Sequence, residues 1–66
     1  MIETLAQIRS DNPSLTAGLV LHDDVVVEAA PIIGYMKRAN WTRAVVRAYC
    51  EKRGWQIRVV RQGQVS

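Results

Sequence analysis

The chain has 66 residues and a mass of 7.4 kDa, which is one small domain. That size excludes a multi-domain enzyme and leaves little room for a deep, water-excluding active site. A hydrophobic content of 48% with 23% charged residues excludes wholesale disorder. The formal charge of +3 hides a division: residues 1–36 carry five carboxylates and one arginine, whereas residues 37–66 carry eight cations and one carboxylate.

Residues 2–10 read as a short helix, because Ile2, Leu5, Ala6 and Arg9 fall near helical spacing with Ile8 on the flank. A helix this short must dock on something, since isolated helices need about 12–15 residues. Ser10-Asp11-Asn12-Pro13-Ser14 collects turn formers and reads as a loop. From Ala17 the period changes to two. Gly18–His22 and Val25–Ala29 are β-rich runs separated by Asp23-Asp24, two short polar residues suited to a tight hairpin turn. Leu19 and Leu21 share one face of the first run, and Val20 and His22 the other. The second run separates Val25, Val27 and Ala29 from Val26 and Glu28.

Pro31 suits the first position of a helix, and Ile32, Ile33, Tyr35 and Met36 continue it for about two turns despite Gly34. A longer helix is expected over residues 41–53, with Asn40 or Thr42 as its cap. Gly54 stands where a left-handed residue would end it, with Trp55 folding back towards Cys50. Trp41, Ala44, Val45, Ala48 and Tyr49 form an apolar arc that Val46 and Cys50 widen, so this helix is expected to pack on more than one element. Gln56–Arg61 alternates like a strand, and residues 62–66 read as a polar tail.

The expected fold is therefore α+β in one domain. A three-stranded antiparallel sheet, made of the hairpin plus the C-terminal strand, is packed by one long and one or two short helices. Residues 1–14 supply the first helix and loop, residues 15–61 the αβ core. Hydrophobic burial and ordering cost are about equal for a chain this small, which favours self-association as a dimer through the flank of Val46 and Cys50 or through a strand edge. The competing expectation is that residues 2–10 fold back as a lid. No apolar run reaches the ~20 residues of a membrane span. The start Met1-Ile2-Glu3-Thr4 lacks the features of a secretory signal, so a soluble cytoplasmic protein is expected.

Catalytic and metal chemistry find little support. Cys50 and His22 are the only thiol and imidazole, and they read as a packed cysteine and a turn-adjacent histidine. Asp23 and Asp24 read as turn residues, so no metal, cofactor or enzymatic activity is expected. The pattern with functional content is basic residues interleaved with aromatics. Lys37, Arg38, Arg43 and Arg47 lie with Tyr35 and Trp41 in a helix–turn–helix-like stretch over residues 31–53, and Arg58 and Arg61 on the next strand could form a wing. DNA or RNA is the partner this would suit. A solvated basic face, with Trp41 and Tyr49 in the core, and a surface for another protein are the competing readings.

The runs Val26–Ile33, Trp41-Thr42, Val46–Cys50 and Arg53–Ile57 together resemble a pattern of small phage and prophage proteins, covering residues 26–60. That resemblance brings no active site. It implies a phage or mobile-element product in a bacterial host cytoplasm, an accessory protein that binds nucleic acid or, alternatively, a non-enzymatic inhibitor or adaptor of a host or phage protein.

Overall fold

A computed structural model describes residues 1–11 and 14–65. Four strands form one antiparallel sheet, in the order β3-β2-β1-β4. They are β1 (Ile2–Asp11), β2 (Ser14–His22), β3 (Val25–Ala29) and β4 (Gln56–Gln64). Between β3 and β4 the chain makes a 3₁₀ turn over Pro31–Ile33, a one-turn helix α1 (Gly34–Arg38) and a three-turn helix α2 (Arg43–Arg53). The α+β class and the antiparallel sheet agree with the sequence reading. The sheet has four strands rather than three, and no helix is long.

The extra strand is the segment expected to be a helix. β1 lies at the centre of the sheet, paired with β2 from Glu3↔His22 to Asp11↔Ser14 and with β4 from Ile2↔Gln64 to Arg9↔Gln56. Its inner face is Thr4, Ala6, Ile8 and Ser10, all buried, while Glu3, Leu5 and Gln7 point the other way. Three of those four inner residues are small, and two are polar, so the period of two carries almost no hydropathy signal. Two flanking ladders override the helix propensity of Leu5, Ala6 and Gln7. There is thus no helical lid: residues 2–10 are the middle of the sheet. The expected loop is correspondingly shorter, since Ser10, Asp11 and Ser14 belong to strands; Asn12 and Pro13 lie outside the described residues.

Local signals elsewhere acted as chemistry dictates. Asp23 and Asp24 both take positive φ, 49° and 67°, as a two-residue hairpin turn of the primed type demands. The turn is fastened to β1 in both directions. The amide of Ile2 donates to Asp23 Oδ1 at 2.9 Å, and the amide of Asp23 donates to the carbonyl of Ile2 at 2.9 Å. A bulge in β3 corrects the expected facing. Leu21 opposes Val26 and Leu19 opposes Ala29, so Val26 and Ala29 share the inner face and Val25 and Ala29 do not. Pro31 opens the 3₁₀ turn. Asn40, with φ 50°, turns the chain between α1 and α2, and Thr42 rather than Asn40 caps α2, its Oγ1 accepting from the amide of Val45 at 3.4 Å.

Gly54 ends α2 at φ 73°, and the amide of Trp55 donates to the carbonyl of Cys50 at 2.7 Å, the expected reversal. β4 then runs to Gln64, so Gln62–Gln64 are strand rather than tail. The core is a single cluster between the sheet and the helices. Ile8, Leu21, Val26, Ile33, Met36, Val46 and Cys50 are its most enclosed members. α2 contributes only the seam of Val46 and Cys50 fully. Ala44, Val45 and Ala48 are exposed, contrary to the wide packing expected of its apolar arc.

Two substitutions test this arrangement. Ile8→Ala should cost about 2–5 kcal/mol, because it empties the centre of the core, whereas Leu5→Ala on the uncovered face should cost distinctly less. Thermal unfolding followed by circular dichroism measures both, and a larger loss at Leu5 would contradict the strand. Gly54→Val forces a β-branched residue into the left-handed region and should lower stability by at least ~1 kcal/mol, or roughly 4–8 °C in Tm for a domain of this size.

Candidate functional site

The helix layer and the sheet carry opposite charge. Residues 31–55 hold six cations, Lys37, Arg38, Arg43, Arg47, Lys52 and Arg53, against Glu51 alone. The strands and hairpin hold the other five carboxylates and only three arginines. α2 spans the sheet diagonally. It starts at the β2–β3 turn, where the amide of Arg43 donates to the carbonyl of Asp24 at 2.8 Å, and ends beside the first residues of β4.

That path places Arg43 and Arg47, one turn apart, along the side of α2 that faces β4. With Cys50, Glu51, Trp55 and Val59 they line a groove of about 440 Å³. Arg43 sits 3.7 Å from Asp24, and Arg47 3.7 Å from Glu51. Both pairs are exposed. Pairs of this kind contribute little to stability, so a polyanion can displace the carboxylates at small cost.

The other residues expected to join them do not. Lys37 reaches to Glu28 at 3.1 Å and, with Arg38, belongs to α1 beside β3, the opposite edge of the sheet from the groove. Arg58 and Arg61 lie on the far face of the sheet. Ile57 packs inward opposite Ile8, so the next residue, Arg58, opposes Gln7 on the outer face. The bulge near Val60 resets the alternation, and Arg61 opposes Leu5 on that same outer face. β4 is an integral strand and not a wing. Of the six expected contact residues, only Arg43 and Arg47 share one groove.

Sequence reasoning passed over Arg53 and the arrangement of the aromatic rings. All four aromatic residues of the chain, Tyr35, Trp41, Tyr49 and Trp55, form one chain of edge-to-face contacts with centroids 5.1–5.9 Å apart. They are half-buried and join α1, the turn before α2, α2 itself and the entry to β4. Tyr35 Oη donates to Tyr49 Oη at 3.1 Å. The Arg53 guanidinium lies 4.7 Å from the Tyr49 ring centre and 5.5 Å from that of Trp55, within cation–π range. The expected placement of Trp41 and Tyr49 in the core is thus partly met, since both pack on it while remaining accessible. The available signal was compositional: four aromatics confined to residues 35–55.

Cys50 and His22 lie apart. Cys50 is buried beneath α2 and its thiol pKa is pushed up by that burial, which disfavours the nucleophilic thiolate. His22 lies on the outer face of the sheet, 2.9 Å from Glu3 directly across the strand. The sheet separates the two. Among the described residues no three His, Cys, Asp or Glu side chains gather as metal ligands would, and no helix is long and apolar enough to cross a membrane.

No family model, curated protein or solved structure matches this chain.

The tyrosine pair supplies a pH test of the cluster. Burial first, then the hydrogen bond to Tyr49, push the Tyr35 phenol from 10 up to about 12. Its folded form therefore holds a proton that the unfolded chain releases, so stability is fully present below pH 10 and falls between pH 10 and 12. Denaturant midpoints across that window should decline, and Tyr35→Phe should flatten the decline. An equal slope in the variant would place the alkaline loss elsewhere.

Proposed function

We propose that this chain is a small non-catalytic accessory protein that binds nucleic acid through its helix layer, led by contacts with the phosphate backbone. The observation that carries the reading is the segregation of charge: six cations against one carboxylate on the helix layer, with Arg43 and Arg47 aligned along a groove. Cations near phosphates supply most of the affinity of sequence-independent binders. Arg43 also stands in the first turn of α2, which has no acidic residue. The positive end of the helix dipole disfavours a cation there, and a residue kept against a local preference is what a binding surface produces.

Groups that read bases in the major groove are polar side chains on a helix. The exposed face of α2 offers instead Ala44, Val45 and Ala48 between its charges, so the binding is sequence-independent. Arg53, stacked on Tyr49 and Trp55, adds a cation next to ring surface, which suits an unpaired base beside the backbone. A phage or prophage origin and action in a bacterial cytoplasm accord with the resemblance over residues 26–60. The adaptor reading draws on the exposed Ile32 and Val45 of the same layer, and such an apolar contact would barely respond to salt.

Titration of the full chain against two short DNA duplexes of unrelated sequence, and against a single-stranded RNA, tests the proposal. Binding in the range of about 1–100 μM is expected near physiological salt, with similar affinity for both duplexes. Replacing Arg43 and Arg47 together with alanine should weaken binding and reduce the salt slope by about 1.8, or ~0.9 for each lost phosphate contact on duplex DNA. Absence of binding at 50 mM salt overturns the reading.

A further inference from the structure

Exposed apolar surface is concentrated at the β4 side of the sheet. Among the described residues seven large hydrophobic side chains are exposed, and five of them, Met1, Ile2, Val59, Val60 and Val65, lie along β4 or at the end of β1 beside it. Val59 is 40% exposed towards the helix side and Val60 56% exposed towards the outer face. The two edges of the sheet are also finished differently. The β3 edge is capped by the chain itself, since Val26 donates its amide to the carbonyl of Trp41 at 2.9 Å and Val25 bridges to Thr42. β4 has β1 on one side, and its outer edge meets no other backbone among the described residues. A nine-residue edge with no proline or lysine, and with a valine on each face, is a template for another strand.

We infer that the partner is a second copy of this chain, joined through antiparallel β4–β4 pairing into one eight-stranded sheet. With the bulge included, overlap of residues 57–64 with themselves puts the two-fold axis between Val60 and Arg61, which brings the more exposed of the two valines beside it. In that register Arg58 faces Gly63 of the second copy and Val60 faces Arg61 on the outer face, while Val59 faces Gln62 on the inner, so no two arginines are directly opposed. An antiparallel pair of identical strands puts the axis perpendicular to the sheet, and both helix layers then lie on the same side.

Area sets the strength. A chain of this mass is expected to expose about 4,200 Å², and this one exposes 4605 Å². Covering that surplus of about 400 Å² on both copies would bury about 800 Å², below the 1,200–2,000 Å² of a standard interface. The dimer is accordingly weak and concentration-dependent. Four arginines, Arg58 and Arg61 from each copy, share its outer face, so salt tightens it by screening their repulsion. Nucleic-acid binding responds to salt in the opposite direction, and either can fail without the other.

Sedimentation equilibrium of the full chain from 5 to 500 μM, at 50 and 300 mM NaCl, should show a monomer–dimer equilibrium that tightens at the higher salt. Val60→Lys should weaken it at least tenfold, whereas Val45→Lys on the helix layer should leave it unchanged. Hydrogen exchange of the unaltered protein gives a readout independent of any variant: β4 amides should gain protection as concentration rises. A 7.4 kDa species throughout, a dimer broken by Val45→Lys and not by Val60→Lys, or concentration-dependent protection confined to segments other than β4 would each overturn the inference.

Discussion

Everything in this structure hangs on β1, because it is the one strand hydrogen-bonded along both edges for nearly its whole length. Its partners come from opposite ends of the sequence. β2 is the next element in the sequence, whereas β4 is the last. Without β1 the hairpin and β4 would have no common neighbour, and α2 would have no continuous floor. The inner face of β1 suits this position by being small. Thr4, Ala6 and Ser10 let the helix layer come close, and Ile8 alone projects far enough to fill the centre. Close packing of this kind makes each inner residue sensitive to volume.

The helix layer is held by a different device. α1 has five residues and α2 eleven, too few for either to be stable alone. Their positions come from contacts at their ends. Thr42 and the β2–β3 turn fix the start of α2, and Gly54 fixes its exit. The aromatic chain from Tyr35 to Trp55 then fastens both helices and the entry to β4 from outside the core. Because the apolar seam of α2 is reduced to Val46 and Cys50, most of its surface is free to carry charge. The basic layer is a consequence of that narrow seam.

What was legible in the sequence was what is decided by one or two residues. Asp23-Asp24 marked a turn, Pro31 a helical start, Asn40 or Thr42 a cap and Gly54 a stop, each through its own backbone chemistry. β1 was not legible, since its inner face is written mostly in threonine, alanine and serine while Leu5, as apolar as Ile8, lies on the outer face and breaks the period of two. That misreading propagated. With β1 taken for a helix, Gln62–Gln64 had no strand to pair with and read as a tail, though they oppose Ile2, Glu3 and Thr4. The candidate site suffered likewise. A count of cations along residues 37–61 cannot reveal that β4 turns both Arg58 and Arg61 to the face away from α2, because the facing of Arg61 depends on the bulge between them. Arg43 and Arg47 were recoverable, being one turn apart on a single helix.

The bareness of β4 follows from dimensions. Four strands spaced about 4.8 Å apart make a sheet close to 19 Å wide, and a strand of nine residues runs about 30 Å. A helix of eleven residues is about 16 Å long and 10–12 Å across with its side chains. One such helix on a diagonal, with a single extra turn beside β3, reaches only the first residues of β4 and leaves the rest of that strand outside its shadow. The chain resolves the shortage unevenly. It folds the Trp41–Arg43 segment along β3 and leaves the opposite edge with valines and arginines in place of cover. A charged helix layer and an uncovered apolar edge are thus two results of one constraint, a sheet wider than its own helices can cover.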